Sequence, residues 1–287
     1  MLHGDIMIRT RVQIEPESDM PGAFRHAMLI FGAISVFSGP ALAGPIDAHY
    51  AVSLAGIPIG TAVMNGQVDN GHYNLTVSAK LVGIATMVSN GRGAAQASGG
   101  VNGARVLSGG YALSASNSQM SRTIQMSMAG GNIGAIKIEP PFDEKSDRIP
   151  VTEANKRGVV DPVSALVMPM LAGNALAPEN CNRTIPVFDG AQRFDVVLSY
   201  AGAKAVKSKS FDGQAIVCKA RYVPVAGHRP EREATKYMEN NREMEAWLVP
   251  VAGAKVLVPY RIAVKTMIGT AVIEAQALTG ATTAVGN

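Results

Sequence analysis

The residues able to do chemistry are few. Cys181 and Cys218 are the only cysteines in 287 residues. Two thiols so placed can close a structural disulfide or remain as two inert buried thiols; a redox role would want them close in sequence with a lowered pKa. Glu243 and Glu245 form a carboxylate pair, but two apart on a strand entering Trp247 they share one face, where solvent or Lys/Arg meets them. His49, His72 and His228 have no second His, Cys or acid at a spacing that builds a zinc site, so no metal is expected. The glycine-rich "GRGAAQ" at 91–96 lacks the third glycine and the strand-turn-helix setting of a dinucleotide site, and there is no Gly-x-Ser-x-Gly elbow. No catalytic residue is assigned, and neither enzymatic activity nor a cofactor is expected.

Which reading of the cysteines holds depends on the compartment, and the compartment on residues 25–44, "RHAMLIFGAISVFSGPALAG". Its apolar run, 27–37, is eleven residues with only Ser35 polar, about half the roughly 20 needed to span a bilayer as a helix. Arg25 and His26 precede it, Pro40 stops a helix, and small Ala41 and Ala43 frame a peptidase site. The pattern is a secretory signal peptide over 20–43, cut between Ala43 and Gly44; a buried core helix, the alternative, would hardly end in Ser-Gly-Pro and restart as a strand. Asp5, Glu15, Glu17 and Asp19 put acid where an export signal starts basic, so Met20 is the better initiator and 1–19 a mis-called start. No cysteine follows the cleavage site to take a lipid, and a single Arg rules out a twin-arginine signal. The expectation is a periplasmic chain that does not span a membrane, in which a Cys181–Cys218 disulfide is favoured. Residues 44–287 carry 23 basic and 18 acidic side chains with no Lys/Arg run, so no nucleic-acid partner is expected.

The elements that must position these groups read mostly as strands. Tyr73, Leu75, Val77, Ala79 and Leu81 alternate with polar residues, as do Met120, Ile124, Met126 and Met128. The period of two recurs in Phe194, Val196, Leu198 and Tyr200, in Ile216, Cys218, Ala220 and Tyr222, and in Val256, Val258, Tyr260, Ile262 and Val264. Turn signals at 69–71, 129–131, 188–190, 211–213 and 267–269 leave short links and hence antiparallel neighbours. Ten or eleven strands are predicted, a mainly β antiparallel meander over 44–280 that curls into an open or incomplete barrel. One segment departs from it: at 161–172 Asp161 can cap a helix that Pro162 begins, and Val163, Leu166, Val167, Met170 and Leu171 follow helical spacing, with Pro169 loosening the last turn. This is the one short helix predicted, lying on an apolar surface. Residues 140–158 and 227–245 are dense in both signs of charge and read as solvated loops or, alternatively, a partner surface centred on Arg229, Arg232 and Lys236. Residues 281–287 read as a disordered tail.

Ten methionines remain after residue 43, while aromatics make up 5% of the chain. Met fills irregular gaps and adapts to varied apolar shapes. Ordinary core filling is one reading; the functional one is a pliable cavity beneath the helix, lined by Met120, Met126, Met128, Val163, Leu166, Val167 and Met170, where burying an acyl chain gains about 0.8 kcal/mol per methylene.

"AGIPIG" at 55–60, "DPVSAL" at 161–166, "IPVFDG" at 185–190 and "VPYRIAVKTMIGTA" at 258–271 resemble, in order and spacing, the exported proteins of the domain-of-unknown-function 3108 family, a likeness that runs from about 46 to 278. The resemblance implies a periplasmic, β-rich, barrel-like domain broadly similar to the half-barrels of lipoprotein carriers. It brings no catalytic residues, and the cysteine pair is not part of it. Two functions follow as expectations: a non-enzymatic protein that binds or carries an apolar or amphiphilic envelope ligand, such as a lipid, or an envelope-integrity scaffold that acts through protein partners. A third reading, an outer-membrane barrel, lacks aromatic girdles.

Overall fold

The structure, a computed structural model, describes residues 45–283 except 70 and 88. The expected early start, signal peptide and cleavage site at Ala43 and Gly44 lie outside the described residues, as do 284–287.

Fourteen strands follow one another: β1 (Ile46–Leu54), β2 (Ile57–Asp69), β3 (His72–Leu81), β4 (Arg92–Asn102), β5 (Arg105–Ser116), β6 (Ser121–Ala129), β7 (Asn132–Glu139), β8 (Met168–Pro169), β9 (Arg183–Phe188), β10 (Arg193–Lys207), β11 (Asp212–Ala226), β12 (Met244–Pro250), β13 (Val256–Thr266) and β14 (Gly269–Thr279). They form one antiparallel sheet in the order β7-β6-β5-β4-β3-β2-β1-β14-β13-β12-β11-β10-β9, with β8 set beside β13. The meander therefore has its first and last long strands at its centre, and β7 and β9 as its two ends. It does not close into a barrel. Period-two burial drives the pairing: in β3 Tyr73 and Leu75 are buried while His72, Asn74 and Thr76 are exposed. The β1–β2 link is a two-residue turn in which Ala55 and Gly56 both have positive φ (51° and 80°), the backbone a tight right-twisting hairpin demands.

The long connection from β7 to β9 bridges the two sheet ends. Val159 N–H donates to Gly131 O (2.8 Å) in the β6–β7 turn, Val160 N–H to Pro186 O (2.8 Å), and Phe188 N–H to Val160 O (2.9 Å). This strap satisfies part of the β9 edge that would otherwise be free to pair with another chain. Gly190, at φ 101°, completes the junction: a Cβ there would stand 2.9 Å from Ile124 Cγ2.

The α-helix expected over 161–172 does not form. Asp161 does cap, accepting the N–H of Val163 (3.0 Å) and Ser164 (2.9 Å), but the turn runs only over Ser164–Leu166 as a 3-10 helix. Pro169 has no N–H to continue a helix, and the chain instead lays Met168–Pro169 against β13, with Met170 N–H donating to Lys255 O (2.9 Å). The one α-helix among the described residues, α1 (Glu233–Asn240), lies in the charged stretch read as a loop. Glu233 sits in its first turn, where the helix dipole favours acid, and the helix packs on β11. At the tail, Ala281 pairs with Val251 and Thr282 N–H donates to Pro250 O, so order reaches at least Thr282.

Apolar side chains gather in two clusters. The larger takes Ile46, Met64, Leu75, Tyr111 and Ile124 from the sheet and Val159, Val163 and Val167 from the strap. The smaller holds Met168, Cys181, Leu198, Ile216, Cys218, Leu248 and Leu257. Neighbours in sequence go to different clusters: Ala215, Val249, Val256 and Val258 to the first, Ile216, Leu248 and Leu257 to the second. Strands β11 to β13 are thus buried on both faces, and the connection over 168–181 covers the second face. The Cys181–Cys218 disulfide, with both residues fully buried, fastens that cover to β11 (S–S 2.00 Å, Cα–Cα 5.4 Å).

Candidate functional site: an apolar groove over β9 to β13

Beside the second cluster, the same sheet face opens into a groove of about 300 Å³. Its wall is made of cross-strand pairs. Val196 stands opposite Tyr222 and Leu198 opposite Ala220 on β10 and β11, and Met244 opposite Val264 and Ala246 opposite Ile262 on β12 and β13. Directly opposed residues on an antiparallel ladder share a face, so these pairs build one continuous apolar surface. Phe194 and Tyr222 pack ring to ring at 5.2 Å. The register shift between Trp247 and Leu248 keeps Leu248 opposite Pro259 and lets both line the groove with Ile262. Leu166 of the 3-10 turn and Met238 of α1 close over it from above. Polar side chains are few: Arg221 and Glu245 at the rim, and Tyr222, whose phenol is held above its usual pKa by burial first and by the charges of Asp189 and Glu239 next. The volume lies at the lower bound of ligand pockets, roughly 300–1,000 Å³, and is about twice that of an apolar cavity that admits benzene.

The residues expected to line one cavity are spread over four environments. Met126, Met128, Val163 and Val167 are packed into the larger cluster. Leu166 lines the groove, and Met170 lines a separate recess with Val101 and Val256. Met120 is 46% exposed, not inward: it ends the loop before β6, where Asn117 Oδ1 accepts its N–H (2.8 Å). The groove residues themselves come from alternating runs visible in the sequence, notably Phe194, Val196 and Leu198, and from Met238 within the charged stretch.

A second feature is polar. Asp161, Ser164 and Ser108 are fully buried. The Ser164 hydroxyl donates to Asp161 Oδ2, and Tyr73 OH lies 2.6 Å from Ser164 Oγ. Burial pushes the Asp161 carboxyl above its ordinary range, opposed by the hydrogen bonds from Ser164 and Val163. The Ser108 hydroxyl, also near Tyr73, completes no hydrogen bond of good geometry. Asp189, in the β9–β10 turn, is likewise raised by burial while accepting the N–H groups of Ala191 (2.9 Å) and Gln192 (2.7 Å). Both carboxyls hold turns: one shapes the strap under Leu166, the other the turn at Gly190. Tyr111 is pushed up by burial and by these two acids.

Of the residues read as a partner surface, Arg229 pairs with Asp147 (2.7 Å) and Lys236 with Glu231 (2.6 Å), while Arg232 precedes α1. Glu243 lies 3.6 Å from Lys265, and Glu245 accepts the indole N–H of Trp247 (3.1 Å). Among the described residues no group of three His, Cys, Asp or Glu is arranged to hold a metal, and no helix is long and apolar enough to cross a membrane.

Residues 49–276 match the family described as Protein of unknown function (DUF3108). No curated protein and no solved structure matches the chain.

Proposed function

The chain belongs to the DUF3108 family, and from that premise we propose that it is a periplasmic, non-enzymatic protein that binds the acyl chain of an apolar or amphiphilic envelope molecule in the groove over β9 to β13. The observation that carries this reading is a wall of paired apolar residues left beside a well-packed core and roofed only in part by side chains of the strap and α1, among them Leu166 and Met238. A sheet face this apolar is elsewhere in the molecule sealed by chain, as at Cys181. Here a ligand completes the burial, at about 0.8 kcal/mol for each methylene taken from water. The methionines at 238 and 244 suit an unbranched chain of variable length. Export is supported by the signal-peptide-like pattern of the sequence at 20–43 and by the buried disulfide, of a kind that persists in an oxidising compartment.

A scaffold acting through envelope protein partners is the second reading, favoured by the filling of the larger cluster with Met126 and Met128. Native mass spectrometry of protein purified without detergent separates the two. Co-purifying mass of one acyl-bearing molecule supports binding. A bare mass, together with no uptake of a fluorescent fatty acid, supports the scaffold.

A further inference from the structure

A second cavity, of about 310 Å³, adjoins the groove at the open end of β9. The two share Ala165, Met168 and Ile185 as lining, so one ends where the other begins. Their chemistry differs. The groove is apolar, whereas the second cavity carries Arg105 and Arg183 and the backbone of Gly130, Gly131 and Gly158, the first and last of them exposed. Arg183 is the first residue of β9 and stands directly opposite Leu198 on β10, one position pair beyond Ile185 and Val196. Its side chain therefore leaves the ladder on the groove's own face, at the groove's end.

The Arg183 guanidinium is only partly satisfied. One terminal nitrogen donates to Pro169 O (2.6 Å), but Nε is buried with no hydrogen-bond partner. Among the described residues neither Arg183 nor Arg105 is paired with a carboxylate. A half-buried guanidinium with a free donor is costly unless an anion meets it, and its fork of donors matches carboxylate and phosphate oxygens. Desolvation of Arg183 acts in the same sense.

We propose that the two cavities form one site for a single-chain anionic amphiphile, its carboxylate or phosphate head on Arg183 and Arg105 and its acyl chain running past Ala165, Met168 and Ile185 into the groove. The inference rests on the groove reading and adds the head-group class and the direction of the chain.

The test is displacement of a fluorescent fatty acid by dodecanoate, dodecyl phosphate and dodecanol, on wild type, Arg183→Gln and Arg105→Glu. The site is expected to take at least one of the anions about tenfold more tightly than dodecanol, about 1.4 kcal/mol, and to lose that preference in both variants while dodecanol binding is kept. Which anion is preferred distinguishes a free fatty acid from a phosphate-bearing lipid. If Arg183→Gln fails to fold, Arg105→Glu decides alone, because Arg105 is exposed and makes no side-chain hydrogen bond among the described residues. Dodecanol binding as well as the anions, or a preference that survives the substitutions, overturns the proposal while leaving the groove reading intact. Failure of all three to bind overturns both.

Discussion

Replacing Cys181 and Cys218 together by alanine is expected to lower the stability of the fold by about 5 kcal/mol. The bridge closes a loop with a sequence separation of 37 residues. In the chain-entropy account, about 2.1 cal/mol/K plus 1.5R ln n comes to roughly 13 cal/mol/K, or about 4 kcal/mol at 25 °C. Both residues are fully buried, so loss of the sulfur atoms adds a smaller packing penalty of about 1 kcal/mol. The native contacts around the bridge should survive it. Asn180 independently pins the covering segment, accepting the N–H of Leu171 (2.7 Å) and donating to Asn174 O (2.8 Å) and Ala175 O (3.1 Å). The double variant should therefore fold and unfold in one transition at lower urea concentration, followed by the fluorescence of Trp247, the only tryptophan. The m-value should rise slightly, because the unbridged unfolded chain exposes more surface. A loss below about 1 kcal/mol would refute the reasoning, as would unfolding of the wild type that is indifferent to reductant.

Four further outcomes follow from the strap and its junctions. Asp161→Ala should cost at least about 2 kcal/mol in chemical denaturation, since it orphans two buried N–H groups and a hydroxyl. Asp161→Asn keeps an acceptor for the two N–H groups and removes the charge. Because the folded carboxyl is raised above its unfolded value, its effect on stability is most favourable at low pH and is lost as pH rises through the folded pKa. Stability of Asp161→Asn relative to wild type, measured from pH 4 to 8, should therefore increase with pH; a decrease would contradict the burial account. Gly190→Ala should destabilise by about 1–3 kcal/mol, from strain at φ 101° and the approach to Ile124, read as a lower thermal midpoint. Disrupting the Arg229–Asp147 pair by Arg229→Ala should change stability by under about 1 kcal/mol, because both side chains are about a third or more exposed.

The sheet was readable because alternation is a direct consequence of one-sided burial, and β3 or β6 shows it residue by residue. The disulfide followed from pairing the two thiols under the expectation of an oxidising compartment. Two features were misplaced for definable reasons. The helix over 161–172 satisfied the spacing rule, but β8 and Pro169 drew the backbone into pairing with β13, a tertiary partner that no local pattern reveals. Conversely α1 carries little apolar surface beyond Tyr237 and Met238, so its stretch looked like a solvated loop. The site went astray through the continuous apolar runs at 215–218 and 256–260. Such runs signal burial on both faces, whereas reading them as alternating put a single inward face, and hence the cavity, with Met126 and Met128. The groove lies on the other face, where Val196, Ile262 and Met244 meet.

The central claim is that this groove receives an acyl chain, and occupancy of its wall tests it most directly. Ala246, opposite Ile262 and Cys218, lines the groove with a small side chain, so a large one placed there enters the space the acyl chain needs. Titration of a fluorescent fatty acid into wild type and Ala246→Trp should show saturable one-to-one binding in the first and at least a tenfold loss in the second, with both proteins equally folded by circular dichroism. Equal binding by the two, or none by wild type, would contradict the account.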